Sequence, residues 1–143
     1  MTPRFARALT LAGLVLPAAG LIACGSSDGD STSAPAQTED PQVAIAEIAK
    51  TRTGLEQSLK LYKSGEDKGA ASAASDTYLD HFELVEDPLR EIDEDLMLKI
   101  EAAIRTSLIL NMQDGYSVDA IERQIEDINA DLDAAKKALQ GAQ

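Results

Sequence analysis

From Asp40 onward, apolar side chains recur at intervals of three and four, the spacing that lines one face of an α-helix. Capping and helix-breaking residues divide this pattern into four runs. Asp40 before Pro41 reads as an N-cap with proline at the first helical position, and Ile45, Ile48, Leu55, Leu59 and Tyr62 follow until Gly65 stops the run. A second helix is expected to begin near Glu66 and to place Ala71, Ala74, Tyr78, Phe82, Val85 and Leu89 on one face. Asp87-Pro88 should break or kink its end, and Ile92-Asp93-Glu94 restarts the chain. The third run shows Leu96, Met97, Ile100, Ala103, Ile104 and Leu108 before Asp114-Gly115. Ser117 then caps a fourth, with Val118, Ile121, Ile125, Ile128, Leu132, Ala135 and Leu139 in unbroken alternation.

No run has the period of two and the β-branched enrichment of a strand. Four amphipathic helices on short connections have few ways to bury their stripes. The expected fold is therefore all-α, an antiparallel up-down four-helix bundle spanning residues 40–141.

The first 39 residues have a different character. Arg4 and Arg7 precede an apolar stretch from Ala8 to Ala23, the layout of a secretory signal. Pro17 and Gly20 interrupt that stretch, and it is short beside the roughly 20 residues that span a bilayer. Its end, Leu21-Ile22-Ala23-Cys24, resembles the lipobox of bacterial lipoproteins, which implies acylation of Cys24 after removal of residues 1–23. The competing readings are an uncleaved membrane helix and a secreted protein with a spare thiol; neither accounts for the position, solitude and neighbours of Cys24 together. Residues 24–39 are the acylated cysteine followed by Gly, Ser, Asp, Thr, Pro and other residues without a large apolar side chain, and are expected to form a flexible tether. The expected location is extracytoplasmic, on the outer leaflet of a cell membrane or on an outer membrane.

Charge narrows the range of partners. The sequence has 13 Lys and Arg against 25 Asp and Glu, and loss of Arg4 and Arg7 with the signal leaves a net charge of about −14. Such a surface repels phosphate backbones, so nucleic acid is excluded, whereas cations and basic proteins are attracted. Enzymatic readings also lack material. There is a single histidine, no cysteine besides Cys24, no Gly-rich phosphate loop and no serine in a strand-to-helix elbow.

Tyr62, Gly65, Ala74, Tyr78-Leu79, Phe82-Glu83, Glu86, Leu89, Asp93, Leu96 and Ile100-Glu101 resemble the extracytoplasmic helical domain of bacterial members of the high-affinity iron permease family. The likeness runs from about Leu55 to Leu139, with its core in Tyr78 to Glu86. It implies an accessory or metal-binding module linked to iron uptake, with iron as the ion and an iron permease or other envelope protein as partner. The membrane bundle of that family is missing here, so no transporter is implied.

His81, Glu83 and Glu86 form the sharpest ligand cluster, because hard and borderline cations need several oxygen or imidazole ligands converging on a point. Helical geometry places Glu83 in an outward acidic stripe with Asp76, Asp80 and Asp87, and His81 and Glu86 on opposite flanks of the apolar face. A site therefore needs a carboxylate from another helix, with Glu56 and Glu101 as candidates. Arg52 shares the register of the apolar residues of the first run and requires a partner, for which Glu86 is the interesting choice. If that pair forms, Glu86 serves structure and is not free for metal. The alternative to the metal module is a structural interaction bundle that docks onto another envelope protein without any ion.

Overall fold

The structure, a computed structural model, describes residues 40–142; the signal, Cys24 and the tether lie outside the described residues. Helix α1 spans Pro41–Lys63, α2 Asp67–Thr77, α3 Glu83–Glu101, α4 Ile109–Gln113 and α5 Val118–Gly141. A π-helical turn, Tyr78–Phe82, joins α2 to α3, and a longer π-helical segment, Ala102–Leu108, joins α3 to α4. The chain thus forms three continuous helical stretches, with no strand among the described residues.

The ends of these stretches follow local chemistry. The Asp40 side chain accepts from the backbone N–H of Gln42 at 2.8 Å, and the Ser117 hydroxyl from that of Ala120 at 3.3 Å. Gly65 and Gly115 take φ of +84° and +72°, the left-handed conformation that costs glycine least. Each closes its helix with paired backbone bonds: Gly65 to Tyr62 and Glu66 to Leu61, then Gly115 to Met112 and Tyr116 to Asn111.

The spacing of buried residues explains where the helices are regular and where they unwind. In α1 the buried set Ala44, Ile48, Thr51, Leu55, Ser58 and Tyr62 alternates four and three, and in α5 the set from Ile121 to Leu139 does the same. Alternation keeps a face aligned at 3.6 residues per turn. By contrast, Ala70, Ala74, Tyr78 and Phe82 are four apart throughout, as are Ile100, Ile104, Leu108 and Met112, and all eight are buried. A step of four overshoots a turn by about 40°, so three such steps would carry the last side chain out of the core. The wider π turn absorbs that drift, and each π segment falls inside one of these runs.

Asp87-Pro88 does not break the chain. Pro88 is buried within α3, where its ring joins the core and offsets the single helical bond it forfeits. The break falls five residues later, at Asp93, with φ −152° and ψ 82°. The Asp93 carboxylate caps the arm beyond by accepting from the Leu96 N–H at 3.0 Å.

Helix α1 packs against α2 and α5, α5 also against α3 and the second π segment, and α2 against α4. Their shared interior holds Ile48, Leu55, Phe82, Leu89, Met97, Ile100, Ile104, Leu108, Met112, Ile121, Ile128 and Leu132, each almost wholly removed from solvent. Burial of such a side chain stabilises by about 1.5–3 kcal/mol. Between α1 and α2 the residues are small: Gly54 and Ser58 face Thr77 and Ala70, and the Ser58 hydroxyl donates to the Ala70 carbonyl at 2.8 Å. Among the described residues no helix is long and apolar enough to cross a membrane.

Candidate functional site

The π turn determines where His81 points. Its imidazole reaches α1, where Nδ1 lies 2.9 Å from Oε2 of Glu47. An ionised carboxylate only accepts, so Nδ1 carries the proton of this bond. Glu47 is 6% exposed and also accepts from the Lys50 ammonium at 2.6 Å. Burial pushes the Glu47 carboxyl up, but the bonds and charges of Lys50 and His81 outweigh it and hold the group below its ordinary value. Beside this triad a polar groove of about 520 Å³ runs between α1 and α2, with Lys50, Gln57, Asp76, Asp80 and His81 on its walls and Gly54 between them.

A second polar cluster lies around Tyr78. The Tyr78 hydroxyl donates to Glu86, and the Arg105 guanidinium sits 5.1 Å above the Tyr78 ring while bonding Glu101 at 2.7 Å. Arg90 approaches Glu86 at 3.6 Å. Burial pushes the Glu86 carboxyl above its ordinary value; the Tyr78 bond and Arg90 oppose this, and the nearby charges of Glu101 and Glu83 reinforce it. Burial, aided by the Glu86 bond, likewise raises the Tyr78 phenol.

The five ligand candidates are therefore dispersed. His81 belongs with Glu47, while Glu86 and Glu101 belong with Tyr78 and Arg105. Glu56 and Glu83 are exposed; Glu56 joins neither cluster, and Glu83 contributes only its nearby charge to Glu86. Among the described residues no group of three or more His, Cys, Asp or Glu is arranged to hold a metal ion.

Arg52 does not meet Glu86. Its guanidinium bonds the Asn129 carbonyl at 2.8 Å and pairs with Asp133 at 2.5 Å, both on α5. The reason is register. Ile45, Arg52 and Leu59 are seven apart and only half-buried, so they line the flank of α1 that turns toward α5. The buried face instead includes Glu47, at its edge opposite Arg52, the charged residue that sequence reasoning missed. Its signal was present: Glu47 precedes Thr51 and Leu55 at successive steps of four.

No family model, curated protein or solved structure matches the chain.

Proposed function

We propose that this chain is a lipid-anchored extracytoplasmic interaction module, an acidic antiparallel four-helix bundle that docks onto another envelope protein without requiring a metal ion. The break at Asp93 supports counting the long central stretch as two arms, which gives four helices in up-down order. The lipobox-like end at Cys24 supports the anchor, because two or more acyl chains hold a protein stably at a bilayer.

The observation that carries the choice over an iron-binding module is that three of the candidate ligands, His81, Glu86 and Glu101, are already engaged within the protein. His81 is bonded to Glu47, and Glu86 to Tyr78. An ion would have to displace these bonds and draw together side chains from two separate clusters. What remains for recognition is an acidic surface, which favours a basic partner.

Calorimetric titration of the full chain with ferrous iron, ferric iron and calcium tests the choice, with no saturable heat expected from any of them. Saturable iron binding that disappears in His81→Ala or Glu86→Ala overturns it and reinstates the iron-uptake module. Radiolabelled palmitate should enter the wild-type chain and not Cys24→Ala; equal labelling removes the anchor from the reading.

A further inference from the structure

One outward helix face is left uncovered by the described helices. Leu98, Glu101, Ala102 and Arg105 line an open groove of about 590 Å³ on α3 and the second π segment. In sequence they stand at i, i+3, i+4 and i+7, the order of the four-residue hole that accepts a side-chain knob where helices pack together, with Ala102 and Arg105 at the start of the wider π segment. Leu98 is 48% exposed, and Ala102 and Arg105 also face solvent, so no helix among the described residues occupies the face. Asp95, one turn before Leu98, is exposed and has no ion-pair partner among the described residues.

We infer that this face binds a second copy of itself, as an antiparallel helix pair around a two-fold axis. The argument is self-complementarity, which such an interface requires because the same patch supplies both sides. In an antiparallel pair centred near Ile100, position 98 lies opposite position 102 and position 95 opposite position 105. Leu98 then fills the space above Ala102 of the other copy, large on small, twice. Asp95 then meets Arg105, acid on base, also twice. Glu101 keeps its bond to Arg105, so each guanidinium bridges two carboxylates. Shifting the register by one heptad position breaks both matches.

Four layers of one helix make a small contact, at the weak end of specific interfaces. Two copies of net charge −12 also repel at long range. The dimer therefore belongs to high protein concentration and to ionic strengths where screening acts within about 8 Å.

Sedimentation velocity of the full chain, over concentrations reaching the millimolar range at physiological salt, tests the inference. Reversible dimerisation is expected in the wild type. Leu98→Asp should weaken it about tenfold or more, because it places a charge in the hole. Asp95→Arg and Arg105→Asp should each weaken it by about tenfold, through two lost pairs and two new like-charge contacts, and the double reversal should restore it. Leu110→Asp, at an exposed leucine outside the hole, should leave it unchanged, and circular dichroism checks that each variant is folded. A monomer at every concentration overturns the inference. So does a dimer indifferent to Leu98→Asp, or one that the double reversal fails to restore.

Discussion

The imidazole of His81 and the buried carboxylate of Glu47 meet at 2.9 Å across two helices, and this bond ties the first π turn to α1. Glu47 is almost sealed from water yet satisfied from both sides, by His81 and by Lys50. Its removal leaves an imidazole and an ammonium to find new partners. Glu47→Ala should therefore cost about 1–3 kcal/mol of stability in urea unfolding. A loss below a few tenths of a kcal/mol shows that the bond does not hold the turn.

The same carboxylate sets a pH dependence. Because its pKa in the folded protein lies below the unfolded value, Glu47 contributes stability that is complete above the unfolded value and is lost as pH falls through the folded one. The melting-temperature gap between wild type and Glu47→Gln should be widest near neutrality and close under acid. A gap that is constant from neutral to acid pH contradicts this.

Glu86 should behave in the opposite sense. Burial raises its pKa in the folded protein, so the favourable contribution belongs to the protonated form and is lost as pH rises through the folded value. Glu86→Gln preserves an oxygen for the Tyr78 hydroxyl and removes the charge. It gives up only a long contact to the part-exposed Arg90, which is worth little. The variant should match or exceed wild-type stability at neutral pH and converge with it in acid. A clear loss at neutral pH shows that the ionised carboxylate is needed.

The contrast between these two acids marks the limit of what the sequence revealed. The buried face of the second run, those of the third and fourth almost entirely (Val118 of the fourth is exposed), and the caps at Asp40 and Ser117 were all legible, because burial period and capping are local properties. The orientation of α1 was not. Ile45 and Leu59 drew the expected face toward Arg52, whereas the true centre runs through Thr51 and Ser58, whose small size lets α2 approach. That rotation hid Glu47 and gave Arg52 the wrong partner. Pro88 misled for a related reason, since proline disfavours a helix locally but tertiary burial decided otherwise.

Close approach at Gly54 is testable by one methyl group. A Cβ placed there would lie 2.1 Å from the Thr77 hydroxyl oxygen and 2.9 Å from Thr77 Cβ. Alanine is the better helix former by about 1 kcal/mol, so an unconstrained site would gain stability. Gly54→Ala should instead cost about 1–3 kcal/mol by forcing the helices apart. Adding Thr77→Ala should relieve only part of the loss, because Cβ remains. A stabilised Gly54→Ala protein contradicts the packing.

The pair between Arg52 and Asp133 should contribute little despite its short distance. Asp133 is 67% exposed, and exposed ion pairs are worth less than about 1 kcal/mol. Arg52→Ala should cost more than Asp133→Ala, because it also gives up the bond to the Asn129 carbonyl and the packing of its aliphatic stem. Equal losses in thermal unfolding mean that the ion pair is the whole contribution.

The π turns yield a prediction that an ordinary helix does not. A π turn holds one residue more than the α-helical turn it replaces, so removing one exposed residue converts it to α-helix and leaves the flanking faces aligned. Leu79 is 51% exposed within the first turn. After its deletion, the step from Tyr78 to Phe82 shortens from four to three, and the five buried steps from Ala70 to Leu89 then span 18 residues, an average of 3.6 per step that matches the α-helical turn. Deleting Ala130 has no such escape. It rotates Leu132, Ala135 and Leu139 by about 100° relative to Ile121, Ile125 and Ile128, which takes them out of the core. The Leu79 deletion should therefore retain a cooperative melt close to wild type, and the Ala130 deletion should abolish it. Equal damage from both deletions would show that the first π turn is not an accommodation of surplus spacing.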